Sequence, residues 1–140
     1  MEKILQIYKK NEEIINYLIV GVLTTIVSLA SYYIVVITIL NPNNAFELQL
    51  ANIFSWICAV TFAYIANRKY VFKSTNKNKL KEIINFVSAR ILTLLMDMLI
   101  MFFTVTILHM NDKIAKLIVQ VVVTIMNYLF SKIFVFKKGN

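Results

Sequence analysis

Apolar residues fill this chain in four long stretches separated by short polar ones. Residues 14–40 and 48–67 carry no charge at all. Residues 83–108 are interrupted only by Arg90 and Asp97, and residues 114–136 only by Lys116 and Lys132. A bilayer-spanning helix needs about 20 mostly apolar residues, so the pattern predicts four transmembrane helices, at about residues 14–40, 48–68, 83–108 and 114–136. The expected fold class is an all-α integral membrane protein, with residues 1–140 forming a single four-helix domain. The longest hydrophilic segment, residues 73–82, leaves no room for a soluble catalytic domain. The first apolar stretch is too long, and wrongly flanked, for a cleaved signal peptide.

Polar positions inside the stretches fall on helical faces. In the third helix Phe86, Arg90, Thr93, Asp97 and Met101 share one face. Arg90 and Asp97 lie about 10 Å apart along the axis at the α-helical rise, so each is expected to meet another helix or a ligand. The fourth helix carries Lys116, Gln120, Thr124, Asn127 and Ser131 at steps of three and four, a line expected to pack inward because hydrocarbon solvates none of them. Asn52, Ser55, Ala59, Ala63 and Ala66 on the second helix, with Gly21, Thr25, Ser28 and Tyr32 on the first, predict faces of close approach. Ordinary packing accounts for Thr25, Ser28, Ser55 and Thr124. Arg90 and Asp97 each cost about 2.5–3.5 kcal/mol to insert near the bilayer centre, which points to function. Asn67 and Asn127 fit either account.

The two halves echo each other. Tyr64-Ile-Ala-Asn-Arg-Lys-Tyr-Val-Phe-Lys73 is answered by Tyr128-Leu-Phe-Ser-Lys-Ile-Phe-Val-Phe-Lys137, and Glu13-Ile-Ile-Asn-Tyr17 by Glu82-Ile-Ile-Asn-Phe86. Two tandem two-helix repeats in one orientation are therefore expected. The basic and aromatic phrases also suit plain anchoring at the membrane interface. Arg68 and Lys132 occupy equivalent places where a lipid-linked phosphate would reside. A guanidinium grips phosphate bidentately, whereas an ammonium acts as a point charge.

Composition agrees with the pattern: the chain is 59% hydrophobic with mean hydropathy +0.71. The net charge of +8 would suggest nucleic acid in a soluble protein. Here the cations cluster before the first helix (Lys3, Lys9, Lys10), between the second and third (Arg68 to Lys81), and at the end (Lys132, Lys137, Lys138). The positive-inside rule then sets both termini and the central loop in the cytoplasm, with residues 41–47 and 109–113 as outer turns. The basic loop faces anionic membrane lipids, and no nucleic acid is expected. Cys58 reads as a buried inert thiol and His109 as an interfacial polar residue without ligand-spaced partners. Because the chain holds no metal-ligand cluster, Gly-rich phosphate loop or nucleophile with a neighbouring base, neither an enzyme nor a cofactor is expected.

From about Glu13 to Lys137 the chain resembles the GtrA-like family of small bacterial membrane proteins. The likeness rests on Asn67-Arg68-Lys-Tyr-Val-Phe72, on Asn85-Phe86-x-x-x-Arg90, and on Asn127-x-x-x-Ser-Lys-x-x-Val-Phe136. Members of that family support teichoic acid glycosylation. The resemblance implies a multi-pass protein of the bacterial cytoplasmic membrane that moves a polyprenyl-phosphate-linked sugar to the outer leaflet, where glycosyltransferases of the pathway use it. The family's patterned places are Asn67, Arg68, Val71, Phe72, Phe86, Arg90, Asn127, Lys132, Val135 and Phe136. In the second copy Ser131-Lys132 stands where the first has Asn67-Arg68, which weakens any second phosphate site.

On this reading Arg90, Arg68 and Lys132 catch the phosphate, and the line from Ser131 through Asn127, Thr124 and Gln120 to Lys116 carries the sugar. Asp97 hydrogen-bonds the sugar, balances Arg90 or binds a proton. Four helices are few for a complete pathway, so a homo-oligomer is expected. Two alternatives stand beside it. One is a non-transporting adaptor that holds glycosyltransferases through residues 73–82. The other is a small proton-coupled exporter relying on Asp97, although residues 14–40 hold no Glu of the kind such exporters carry.

Overall fold

The computed structural model describes residues 1–41 and 43–136. Pro42 in the first expected outer turn, and Lys137 and Lys138 in the last basic cluster, lie outside the described residues. The described chain is helical, with no strand among its described residues: α1 Glu2–Lys10, α2 Glu12–Thr38, α3 Ala45–Ala66, α4 Lys79–Met101 and α5 Asp112–Phe130. Three π-helical turns prolong the later helices: Asn67–Val71 after α3, Phe102–Ile107 after α4 and Ser131–Val135 after α5. Counted through those turns, four helices are long and apolar enough to cross a membrane: Glu12–Thr38, Ala45–Val71, Lys79–Ile107 and Asp112–Val135.

The last three spans begin earlier than the apolar windows because asparagine side chains cap them. Asn44 accepts from the backbone N–H of Phe46 and Glu47, Asn78 from that of Lys81, and Asn111 from that of Lys113. Each cap satisfies donors that the first helical turn leaves without a partner. Polar first turns are thereby drawn into the helix, and a hydropathy window does not count them.

Two compact units divide the chain, Met1–Lys73 and Ser74–Asn140. In the first, α2 packs along α3. The small face of α3 is buried at Ala51, Ser55, Ala59, Ala63 and Ala66, about one residue per turn, so the backbones approach closely. Ala51 takes the place expected for Asn52, which is exposed. Gly21 on α2 is also exposed, and a Cβ added there would meet nothing within 4 Å, so it serves no close approach in this unit. In the second unit α4 packs along α5, and Phe86, Thr93, Ala115 and Val119 are buried. Ala51 and Ala115, Asn67 and Ser131, and Val71 and Val135 are buried pairs at one 64-residue spacing.

Candidate functional site

The basic and aromatic phrases fold alike in the two units. Each helix leaves the α form just before its cation and widens into a π-helical turn. The N–H of Phe72 bonds the Asn67 carbonyl at 2.9 Å, and the N–H of Phe136 bonds the Ser131 carbonyl at 2.8 Å, both five residues back. Such widened turns recur at functional sites. Arg68 and Lys132 are the second residues of the two turns. Val71 and Phe72, like Val135 and Phe136, bury their side chains and so fix the turn from which the cation projects.

The buried rings also pair in the same way. Phe72 meets Tyr17 of α2 at 6.4 Å between ring centroids and 57° between planes. Phe136 meets Phe86 of α4 at 6.0 Å and 54°. Tilted pairs of this kind contribute about 0.5–1.5 kcal/mol beyond the area they bury. The echoed openings of α2 and α4 therefore meet the echoed endings of α3 and α5. Lys132 reaches back over the Tyr128 ring, 5.7 Å from its centroid.

Asn67 is 1% exposed, and neither polar atom of its side-chain amide has a hydrogen-bond partner among the described residues. A buried polar group left unpaired costs about 1–3 kcal/mol, and groups of this sort are rare enough to indicate a role other than stability. Asn67→Leu, similar in size and apolar, is expected to raise the stability of the detergent-solubilised protein by about 1 kcal/mol or more while lowering its activity. A thermal unfolding midpoint read beside the variant's activity in cells checks both. A lower midpoint would mean that the amide holds the turn together.

Within the spans the second unit brings most of the expected polar residues into pairs. Asp97 meets Lys116 of α5, whose Nζ lies 3.3 and 3.2 Å from the two carboxylate oxygens. It thus looks across to another helix rather than along its own to Arg90. The Arg90 guanidinium sits 4.9 Å from the centroid of Phe86, a cation–π contact that keeps charge against the ring's negative face. The Thr93 hydroxyl donates to Asn127 Oδ1 at 2.7 Å and lies 3.0 Å from the Arg90 carbonyl, which joins the two helices near Arg90.

The polar line on α5 does not pack inward along its whole length. Ser131 is buried and Asn127 is half-buried, but Gln120 and Lys116 are exposed. Ala115 and Val119, each one residue earlier, take the packing face instead, because two helices in lipid approach most closely over small side chains. Two participants escaped the sequence reading. Thr93 appeared there only as part of a face. Glu82, 1% exposed, accepts from the Ser74 hydroxyl at 2.7 Å. Its one signal was that it repeats Glu13.

Residues 16–136 match the family model described as GtrA/DPMS, transmembrane domain. The chain is 36% identical over 127 residues to the cell wall teichoic acid glycosylation protein GtcA of Listeria monocytogenes (serovar 1/2a), covering 89% of this chain and 84% of the relative. The GtcA protein of Listeria innocua is 37% identical with the same coverage. YwcD of Bacillus subtilis, described as an uncharacterized membrane protein, is 40% identical over 125 residues, 87% of this chain and 94% of its own length. No solved structure gives a significant match.

Proposed function

This chain belongs to the GtrA/DPMS transmembrane family, and from that premise we propose that it moves a polyprenyl-phosphate-linked sugar across the bacterial cytoplasmic membrane. The sugar then supplies glycosylation of cell-wall teichoic acid or a related surface polysaccharide, the process named for its Listeria relatives. The protein acts as a carrier and not as an enzyme. The observation that carries the reading is the repeated cationic π-helical turn, with Arg68 and Lys132 in the same register, each held by a buried valine, a buried phenylalanine and a ring pair. The distribution of lysine and arginine favours both termini, and hence both turns, on the cytoplasmic side. Two phosphate-catching ends then face the leaflet where the lipid-linked sugar is loaded.

Transport asks that a charged, hydroxyl-rich headgroup cross about 30 Å of hydrocarbon while its tail stays in lipid. Arg68, Arg90 and Lys132 offer cations on the cytoplasmic side. Asn127 and Thr93, already hydrogen-bonded to each other, offer exchange partners for sugar hydroxyls farther in. Lys116 holds Asp97 while the path is empty and releases it to meet a passing phosphate. Val71, Phe72 and Phe86 act through the turns they fix. Exposed Gln120 and the open face at Gly21 favour a homo-oligomer, in which a second copy covers polar groups that lipid does not solvate. Glycosyltransferases of the same pathway receive the product in the outer leaflet.

The direct experiment is a leaflet assay. The purified protein is reconstituted with a labelled polyprenyl-phosphate sugar, and access of an outside reagent to the sugar is followed in time. Faster crossing than in protein-free vesicles is the expected result. An unchanged rate with folded, oriented protein would transfer the function to an adaptor for glycosyltransferases.

A further inference from the structure

The second unit holds two hollows that share a wall. One, of about 320 Å³, lies between the loop before α4, the first turns of α4 and the π-helical end of α5. Its wall is polar: Asn76, Asn78, Lys81, Glu82 and Asn85, closed by Phe134 and Val135. The other, of about 350 Å³, is mostly apolar and is lined by Asn85, Ser88, Ala89, Leu92, Phe130 and Phe134. Asn85 and Phe134 belong to both, so the polar and apolar hollows adjoin. Leu92 and Phe134 are exposed on the outer surface, and the Phe130 and Phe134 rings pair at 5.9 Å.

The local architecture holds the polar wall in shape. Asn76 Oδ1 accepts from the Asn78 N–H, and Asn78 Oδ1 caps α4 at the Lys81 N–H. The Ser74 hydroxyl ties the loop to the Glu82 carboxylate. A wall of amides with one carboxylate matches a ring of hydroxyls, each of which donates and accepts. A hollow of about 300 Å³ or more is of ligand size, so a single sugar ring fits the polar side. The apolar side runs along the surface of the α4–α5 pair, where Leu92, Ala89 and Phe130 offer an apolar flank to a hydrocarbon chain.

Taking from the proposed function its premise of a lipid-linked sugar, we infer that this double hollow is where that lipid docks before crossing, and that it takes a neutral sugar in preference to an acidic one. The sugar lies in the polar hollow, the first isoprene units lie in the apolar one, and the phosphate lies beside Asn85, which both hollows share, and Ser88 of the apolar one. It leaves that position when Arg68, Arg90 and Lys132 take it up for crossing. Lys81 is the cation of the polar wall and favours the phosphate's charge. Glu82 selects against an acidic sugar, because two carboxylates brought together away from water repel strongly.

The test uses the full chain, reconstituted, with a photoreactive benzophenone residue at position 92. The probe is a labelled short-chain prenyl-phosphate hexose. Labelling at that position is expected, with competition by unlabelled neutral hexose lipid and about tenfold weaker competition by its uronic-acid counterpart. Phosphatidylglycerol should not compete. Asn85→Leu and Phe134→Ala, both at exposed or half-exposed sites, should weaken binding about tenfold with unchanged unfolding midpoints.

Absent labelling, equal competition by phosphatidylglycerol or by the uronic acid, or indifference to both substitutions would each overturn the inference. Labelling as expected without accelerated leaflet crossing would support the site and defeat the transport reading. Accelerated crossing without labelling would do the reverse.

Discussion

Lys116→Ala should destabilise the second unit by about 3 kcal/mol, and Asp97→Ala by less than about 1 kcal/mol. The two residues form one ion pair, but their surroundings differ. The Lys116 side chain is 55% exposed and that of Asp97 only 18%. Lys116 also lies four residues from the start of α5, about 6 Å at the helical rise. Without Asp97, its four-carbon stem lets the ammonium swing out to the outer interface. Without Lys116, the short Asp97 side chain stays within the span and its charge is uncompensated, the condition whose cost insertion scales measure. Unfolding of the purified variants in mixed detergent reads the two losses, and the double variant should resemble Asp97→Ala. Equal losses from the two single changes would mean that Lys116 cannot reach the interface. No loss at Lys116→Ala would mean that another group balances Asp97.

That asymmetry also marks where the sequence could be read and where it could not. Hydropathy and helical period give the four spans and the shared face of Phe86, Arg90, Thr93 and Asp97, since both depend on local order alone. The partner of Asp97 depends on how α4 and α5 are rotated about their axes. On α5 two lines with the same period run side by side, Ala115 with Val119 and Lys116 with Gln120, separated by one residue or about 100°. A rule that turns polar residues inward selects the second line. The packing selects the first, because a buried alanine admits the neighbouring backbone and a lysine does not. On α3 only the first member of the expected face differs, where Ala51 rather than Asn52 continues the buried line of Ser55, Ala59, Ala63 and Ala66.

The repeated phrases were visible as strings, and so was their basic and aromatic character. Three features of them needed coordinates. The widened turn is a matter of hydrogen bonds five residues apart, and no residue type demands it. The ring pairs close between segments far apart in sequence, Tyr17 with Phe72 and Phe86 with Phe136. From the sequence Asn67 fits packing and function alike. Its burial without a side-chain partner among the described residues is a property of the packing around it.

Arg90→Ala is expected to slow leaflet crossing by about thirtyfold or more, the equivalent of the 2 kcal/mol or greater loss from truncating one partner of a desolvated charge contact. The reason lies in how the guanidinium is held. Phe86 is fully buried against Phe136 and supplies a fixed ring face 4.9 Å from the Arg90 guanidinium. The Thr93 hydroxyl lies by the Arg90 carbonyl and ties that turn of α4 to Asn127. On the proposed transport function, a planar cation stacked in this way would be oriented before the phosphate arrives and would present a two-pronged edge to it. Arg90→Lys keeps the charge but loses both the plane and the fork, so it should fall between wild type and alanine. A loss of folding would lower the amount of protein in the membrane, and surface glycosylation normalised to that amount separates the two effects. If the lysine variant works as well as arginine, charge alone suffices and the stacking on Phe86 is structural. If alanine itself supports full crossing, phosphate capture belongs to Arg68 and Lys132 at the helix ends, and Arg90 serves the packing of α4.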